Sequence, residues 1–167
     1  LTLSQRQLDY ARTRLQPFAA PGDLTRVDLP KIDLPEVDLQ LRDYRDLGRL
    51  PDGSAERYDA VVSIEMIEAV GYEFWPEYFA TIDRLLRPGG AVGLQAITMD
   101  HDRLMATRRS YTWIHKYIFP GGIIPSVRAI EDVLAKHTTM RVDRRLDFGH
   151  DYARTLRCWR ERFLAEF

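Results

Sequence analysis

Two short apolar runs bracket a stretch with helical spacing: Tyr58–Ile64 (YDAVVSI) before it and Ala91–Thr98 (AVGLQAIT) after it. Both runs are rich in β-branched residues and bounded by polar turns, as expected of strands buried in a parallel sheet. Between them Phe74, Tyr78, Ile82 and Leu85 recur on one helical face, and Pro88-Gly89-Gly90 predicts its end. Strand, helix, strand in this order is the crossover unit of a parallel sheet, because parallel neighbours need a long connection. The fold class that follows is α/β, a mostly parallel sheet flanked by helices.

The flanking segments extend this pattern. Residues 1–15 read as a strand end turning into a helix, with Ser4 and Gln7 at capping-box spacing ahead of Leu8, Ala11 and Leu15. Residues 17–36 carry a near-repeat, VDLPK, IDLPE, VDL, whose prolines disfavour a central strand. They read as an irregular or disordered surface loop, followed by a strand over about Val37–Leu41. Residues 102–118 read as partly helical, and Ser126 is placed to cap a helix through Lys136. Met140–Phe148 alternates like a strand. Tyr152, Leu156, Trp159, Phe163 and Phe167 mark one face of a last helix.

Composition closes off several functions. The 167 residues carry 24 Lys plus Arg against 25 Asp plus Glu, a net charge of -1, which argues against a nucleic-acid footprint. One cysteine, Cys158, rules out an internal disulfide and a cysteine-built zinc site, and fits a reducing compartment. His101, His137 and His150 have no metal-ligand spacing, so no metal is expected. No apolar run reaches membrane-spanning length and residues 1–18 lack a signal-peptide core.

In open parallel sheets ligands bind beyond the carboxyl ends of the strands. Three such ends carry polar clusters: Arg42 to Asp46, Glu65 to Gly71, and Gln95 to Thr98. An ionised carboxylate in a dry crevice costs several kcal/mol unless paired, so Glu65 and Glu68 are candidates for function. They equally suit the start of a solvated helix.

The stretches YDAVVSIEMIEAVG (58–71), YFATIDRLLRPGG (78–90), LQAIT (94–98), KYIFPGG (116–122) and DYARTLRCWRERF (151–163) resemble the cyclopropane-fatty-acyl-phospholipid and mycolic acid cyclopropane synthase family, in its order and near its spacing. TLSQRQ (2–7) and LRDYRDL (41–47) fit as well. RLLRPGG recurs among many methyltransferases; KYIFPGG followed by DYARTLRCWRERF is far more specific. The resemblance implies a Rossmann-like class I methyltransferase domain over 1–167, incomplete at both ends. It implies methyl transfer from S-adenosylmethionine to the double bond of an unsaturated acyl chain of a phospholipid. The product is a cyclopropane fatty acid or, as the close alternative, a mid-chain methylene or methyl-branched one. It also implies cofactor contacts from Thr2, Leu3, Ser4, Gln7, Tyr44 and Arg45, with Tyr44 and Arg45 flanking the adenine. The other reading of Tyr44 is a half-buried packing ring.

The same resemblance implies a bicarbonate ion beside the reacting carbon. Glu68 matches its glutamate, Tyr152 its tyrosine and Ile97 its backbone contributor. Gln95 stands where the family has histidine, which keeps an amide donor but removes a group that titrates near neutral pH. The expected catalytic group is therefore Glu68, Tyr152 and Gln95, with His150 near enough to join. Cys158 is expected to be a buried small residue. Expected partners are phospholipid acyl chains at a membrane surface, a second copy of the chain and, for a branched product, a separate reductase. The expected location is cytoplasmic, peripheral at the inner membrane face. Residues 103–119 mix cations with Tyr111, Trp113, Ile114, Ile118 and Phe119, which suits either an interfacial segment or an ordinary helix packed on the sheet. Two other classes remain: a small-molecule N- or O-methyltransferase of similar fold, and an inactive binding relative. The second is motivated by the absence from these residues of the glycine-rich turn that cradles the methionine part of the cofactor.

Overall fold

The computed structural model describes residues 1–19, 37–50 and 52–166, with the side chains of 16–19 left aside. Its centre is the predicted crossover. Strand β1 (Tyr58–Ile64) pairs in parallel with β2 (Leu86–Gln95). Between them run a single helical turn, α2 (Ile67–Val70), a short 3₁₀ turn (Tyr72–Phe74) and helix α3 (Trp75–Leu85). Helix α3 forms because Trp75, Tyr78, Phe79, Ile82 and Leu85 fall on one stripe, with Pro76 in the first turn, where its missing N–H costs nothing. All five side chains are buried. At about 1.5–3 kcal/mol each, that burial far outweighs any local propensity.

Helices α4 (His101–Thr107), α5 (Trp113–Tyr117), α6 (Val127–His137) and α7 (Gly149–Ala165) follow β2. Helix α6 packs on α3 and α4, adding Ala129, Ile130, Leu134 and Leu104 to a core with Ile67, Trp75, Tyr78, Phe79 and Ile82. As expected, the hydroxyl of Ser126 caps α6, accepting from Ala129 N at 3.1 Å. The buried Ser126 Oγ also lies 2.8 Å from His101 Nδ1, which ties the start of α4 to the start of α6.

At the other end, α1 (Gln5–Ala19) begins where Ser4 Oγ accepts from Gln7 N at 3.3 Å. The capping box is not closed, because Thr2 intervenes. Thr2 Oγ1 accepts from Ser4 N and donates to Gln7 Oε1 at 2.6 Å.

Several expectations need correction. Helix α1 runs through Pro17 to Ala19, so residues 17–19 are helical where a loop was expected; residues 20–36 lie outside the described residues. The strand expected over Val37–Leu41 reduces to one parallel bridge between Leu41 and Thr2. Residues 140–148 form no strand, since the only sheet among the described residues is the β1–β2 pair. Pro88-Gly89-Gly90 does not precede the second strand but lies within it. Tyr58 pairs with Leu86 and Ala60 with Ala91, so five steps on β2 match two on β1, an irregularity that the two glycines absorb. Residues 102–118 form two separate helices, of which only α4 buries a side chain. Strand β1, expected to be buried on both faces, is covered on one among the described residues: Val61 and Ser63 turn toward α3, whereas Tyr58, Val62 and Ile64 are exposed. Cys158 is exposed rather than buried, because α7 packs no face into the core.

Candidate active site

The ends of β1 and β2 meet at Glu65 and Gln95. Glu65 N donates to Gln95 O at 2.8 Å, and Gln95 Nε2 donates to Glu65 Oε1 at 3.1 Å. Glu65 leaves the strand in a left-handed conformation, φ 49°, rare for a residue with a Cβ and worth reading as a feature of the site. That turn, together with Met66, starts α2 and brings Glu68 back over the end of β2. Glu68 Oε1 there accepts from Ile97 N at 2.6 Å. Its second oxygen, Oε2, is buried and has no hydrogen-bond partner among the described residues. An unpaired buried carboxylate oxygen is costly, and such groups concentrate where a ligand supplies the missing partner.

A pocket of about 260 Å³ opens beside it, lined by Glu68, Ala69, Ile118, Phe119, Pro120 and Gly122. The far wall is tied to the near one through the backbone, since Ile123 N donates to Glu68 O at 2.7 Å. Gly122 is needed for that approach: a Cβ there would lie 3.2 Å from Phe119 Cβ and 3.4 Å from Glu68 O. The walls are largely apolar, with Glu68 the one charged residue among those that line them. Behind Glu68, the hydroxyl of Tyr78 donates to Ser63 Oγ at 2.6 Å in the core. Burial pushes this phenol above its usual range, and the nearby Glu68 charge adds to the effect.

The expected cofactor residues gather on a second edge. Thr2 N donates to Gln40 O and Arg42 N to Thr2 O, which lays Thr2, Leu3 and Ser4 beside the segment leading to Tyr44. Gln7 joins through Thr2. The Tyr44 ring is half-buried and packs edge-on against Tyr78, centroids 5.7 Å apart at 78°. Arg45 is held by Asp43, whose carboxylate accepts from Arg45 Nε, Nη2 and backbone N. Those bonds hold Asp43 down at about 2. Tyr78 therefore links the two edges, meeting Tyr44 through its ring and the end of β1 through its hydroxyl.

Of the residues expected at the anion, Glu68 and Ile97 are in direct contact and Gln95 is one bond away on Glu65. Tyr152 is not brought to them. It is 42% exposed on α7, where its ring meets Trp159 edge-on; apart from Thr155, every described residue of that helix is exposed. His150 sits at the same exposed helix start. Sequence reasoning missed a cluster around the buried Glu56. Glu56 accepts from Tyr58 Oη at 2.5 Å and from Gly48 N at 2.9 Å, beside Arg42. A lone glutamate before a strand carries no signal of this. Among the described residues no group of three or more His, Cys, Asp or Glu is arranged to hold a metal ion, and no helix is long and apolar enough to cross a membrane.

Comparison with known proteins agrees with this architecture. A tuberculostearic acid methyltransferase of Mycobacterium tuberculosis is 49% identical over 164 residues, covering 98% of this chain and 34% of its own length. The cyclopropane-fatty-acyl-phospholipid synthase of Escherichia coli is 41% identical over 125 residues, covering 75% and 29%. The chain thus spans about a third of the length of these curated relatives. A mycolic acid cyclopropane synthase solved with SAH and CTAB superposes with a TM-score of 0.72 over 99% of this chain and 54% of its own. At 23% identity, that likeness bears on the fold, which is the parallel sheet and flanking helices of these synthases, present in part. The family model described as mycolic acid cyclopropane synthetase matches residues 1–167 throughout, and the chain belongs to that family.

Proposed function

We propose that the protein to which these residues belong transfers a methyl group from S-adenosylmethionine to the double bond of an unsaturated fatty acyl chain of a phospholipid, giving a cyclopropane fatty acid. The observation that carries this reading is Glu68, whose Oε2 is buried without a hydrogen-bond partner among the described residues and which lines a pocket together with Ile118, Phe119 and Pro120. The cofactor supplies an electrophilic methyl group when bound. Thr2, Leu3, Ser4, Gln7, Tyr44 and Arg45 are the residues assigned to its nucleoside side. The half-buried Tyr44 ring offers a face for a purine, and the fixed Asp43–Arg45 pair offers a rigid edge beside it.

The chain's own contribution falls on the acyl side. Alkene attack leaves a cation in the acyl chain, and apolar walls keep water from capturing it. A proton must then leave the added methyl group, either directly as the ring closes or, after a hydride shift from the methylated carbon to the cationic one, to give a methylene. Glu68 is assigned as the acceptor: Ile97 N–H fixes one oxygen and leaves the other directed by that bond. Bicarbonate fits only partly. Its hydroxyl would satisfy Glu68 Oε2, but the Ile97 amide proton is spent on Glu68 and one of the two Gln95 Nε2 protons on Glu65, which leaves one Gln95 proton for the ion's charge. The proton step is therefore assigned to Glu68, with Gln95 holding Glu65 and the strand ends in place.

The methylene or methyl-branched product is favoured by one observation. The relative named as an acid methyltransferase, at 49% identity over 98% of the chain, is more similar than the 41% identical relative named as a cyclopropane synthase. Incubation with methyl-labelled cofactor and a monounsaturated phospholipid tests both. Label in the lipid supports the transfer, and no label refutes it. Proton NMR then separates high-field ring protons from vinylidene signals.

A further inference from the structure

We infer that the segment Arg109–Tyr117 is a membrane-docking element that seats on an anionic phospholipid surface beside the Glu68 pocket. The inference rests on the acyl-chain reading above. Composition fits one apolar and one charged layer: Tyr111, Trp113, Ile114 and Tyr117 stand beside Arg109 and Lys116. The alternative of a helix packed on the sheet does not hold. Helix α5 buries no side chain, and Tyr111 and Trp113 are 75% and 65% exposed. Exposed apolar patches of this kind mark interaction surfaces, and Trp and Tyr prefer the headgroup level of a bilayer.

The segment is nonetheless shaped. Thr112 caps α5 and pairs reciprocally with His115, while the Trp113 and Tyr117 rings pack at 5.7 Å, so the aromatic face is presented on a formed turn of helix. Charge identifies the occupant. From Arg103 to Ile130 the chain has Arg103, Arg108, Arg109, Lys116 and Arg128 and not one Asp or Glu, although the whole chain is at -1. Arg103, Arg108, Arg109 and Lys116 have no ion-pair partner among the described residues. A cationic aromatic face matches an anionic lipid surface better than a second copy of a nearly neutral chain. Continuity supplies the rest: the next residues, Ile118, Phe119 and Pro120, line the Glu68 pocket. A bilayer held at Tyr111–Tyr117 is thus adjacent to the wall that an acyl chain must pass.

The test uses vesicles of phosphatidylglycerol mixed with phosphatidylcholine, and of phosphatidylcholine alone, with co-sedimentation and tryptophan emission as readouts. In a Trp159→Phe background, where Trp75 is already buried, Trp113 emission should shift to the blue on anionic vesicles. Trp113→Ala with Tyr117→Ala, and separately Arg109→Glu with Lys116→Glu, should each weaken vesicle binding at least about tenfold, at about fivefold per cation for the charge pair. Leu146→Ser, at an exposed apolar residue elsewhere, should not. Circular dichroism checks that each variant stays folded. Equal vesicle affinity of wild type and both double variants overturns the proposal. So does self-association that the variants abolish while wild type ignores vesicles, since the face then covers a second copy. Methyl transfer by the wild type to detergent-dispersed phospholipid is measured separately. Its absence, with vesicle binding still dependent on the segment, overturns the methyl-transfer reading and leaves the docking site standing.

Discussion

Glu68 and Ile97 are joined by a 2.6 Å hydrogen bond from backbone N–H to carboxylate, and the other Glu68 oxygen is buried with no described residue donating to it. One oxygen positions the side chain and the other is left for chemistry. Glu68→Gln keeps an oxygen for Ile97 but removes the negative charge. It should lower kcat for methyl transfer by about 10²–10⁴-fold, the range for losing a positioned proton acceptor. Calorimetric titration with S-adenosylhomocysteine should show binding within about twofold of wild type. Turnover within about threefold of wild type removes Glu68 from the role.

The Glu56–Tyr58 pair gives a pH dependence. The hydrogen bond to Glu56 is the main cause that pushes the Tyr58 phenol up to about 12, with burial adding to it. Burial alone would raise Glu56, but hydrogen bonds from Tyr58 and Gly48, with Arg42 nearby, bring it below its ordinary value. The signs follow. The Tyr58 contribution to stability is present below the unfolded value near 10 and lost as pH rises through about 12. The Glu56 contribution is present above about 4.5 and lost as pH falls through its lower folded value. Spectrophotometric titration should show one tyrosine ionising near 12, and Glu56→Gln should return it toward 10. A titration unchanged by that substitution refutes the coupling.

Gly89 and Gly90 should fail for different reasons when replaced. Gly90 needs space: a Cβ would sit 2.9 Å from Asp59 O and 3.0 Å from Arg87 O, both backbone atoms that cannot swing aside. Gly89 meets nothing within 4 Å but holds φ at +80°. Gly90→Ala should cost about 1–3 kcal/mol by overpacking, and Gly89→Ala about 1 kcal/mol by backbone strain. Gly89→Asn should cost less, because asparagine tolerates left-handed backbone. Urea midpoints rank the three. Equal losses at both positions would show that space is not what Gly90 supplies.

The crossover was legible because its signals are periodic and local: the β-branched run ending at Ile64, the stripe at Tyr78, Ile82 and Leu85, and the cap at Ser126 formed as read, although Phe74, read with that stripe, is exposed ahead of the helix and Trp75 and Phe79 complete the buried face. Glu68 was legible as an acid after a strand; the resemblance made Glu68 and Ile97 two contributors to one anion site, whereas here they bond to each other. What sequence left open depends on contacts far apart in the chain. Pro88-Gly89-Gly90 reads as a stop by composition, yet the neighbouring β1 captures those residues into a bulged strand. Met140–Phe148 alternates like a strand, but no described strand adjoins it. Tyr152 was assigned by motif, and nothing in a motif fixes where a helix with almost every described residue exposed lies. The Glu56 cluster depends on Gly48 and Arg42 folding back across the turn, which no spacing announces.

Tyr78 offers the last test, because it holds the two edges of the site together. Its hydroxyl donates to Ser63 Oγ at 2.6 Å, and both side chains are buried. Removing either partner strands the other in the core, so Tyr78→Phe and Ser63→Ala should each cost about 1–3 kcal/mol. Replacing both removes donor and acceptor together, and the double variant should lose clearly less than the sum of the singles. The coupling measured by chemical denaturation should lie within about 0.5–3 kcal/mol. Tyr78→Phe retains the ring, so its edge contact with Tyr44 persists and cofactor affinity should change little. Ser63 lies in β1, one residue before Ile64, where the strand gives way to Glu65. Loss of the bond should therefore loosen the turn that aims Glu68, lowering kcat more than it raises KM. Strictly additive losses, or a change confined to KM, would show that the bond stabilises the core without helping to aim Glu68.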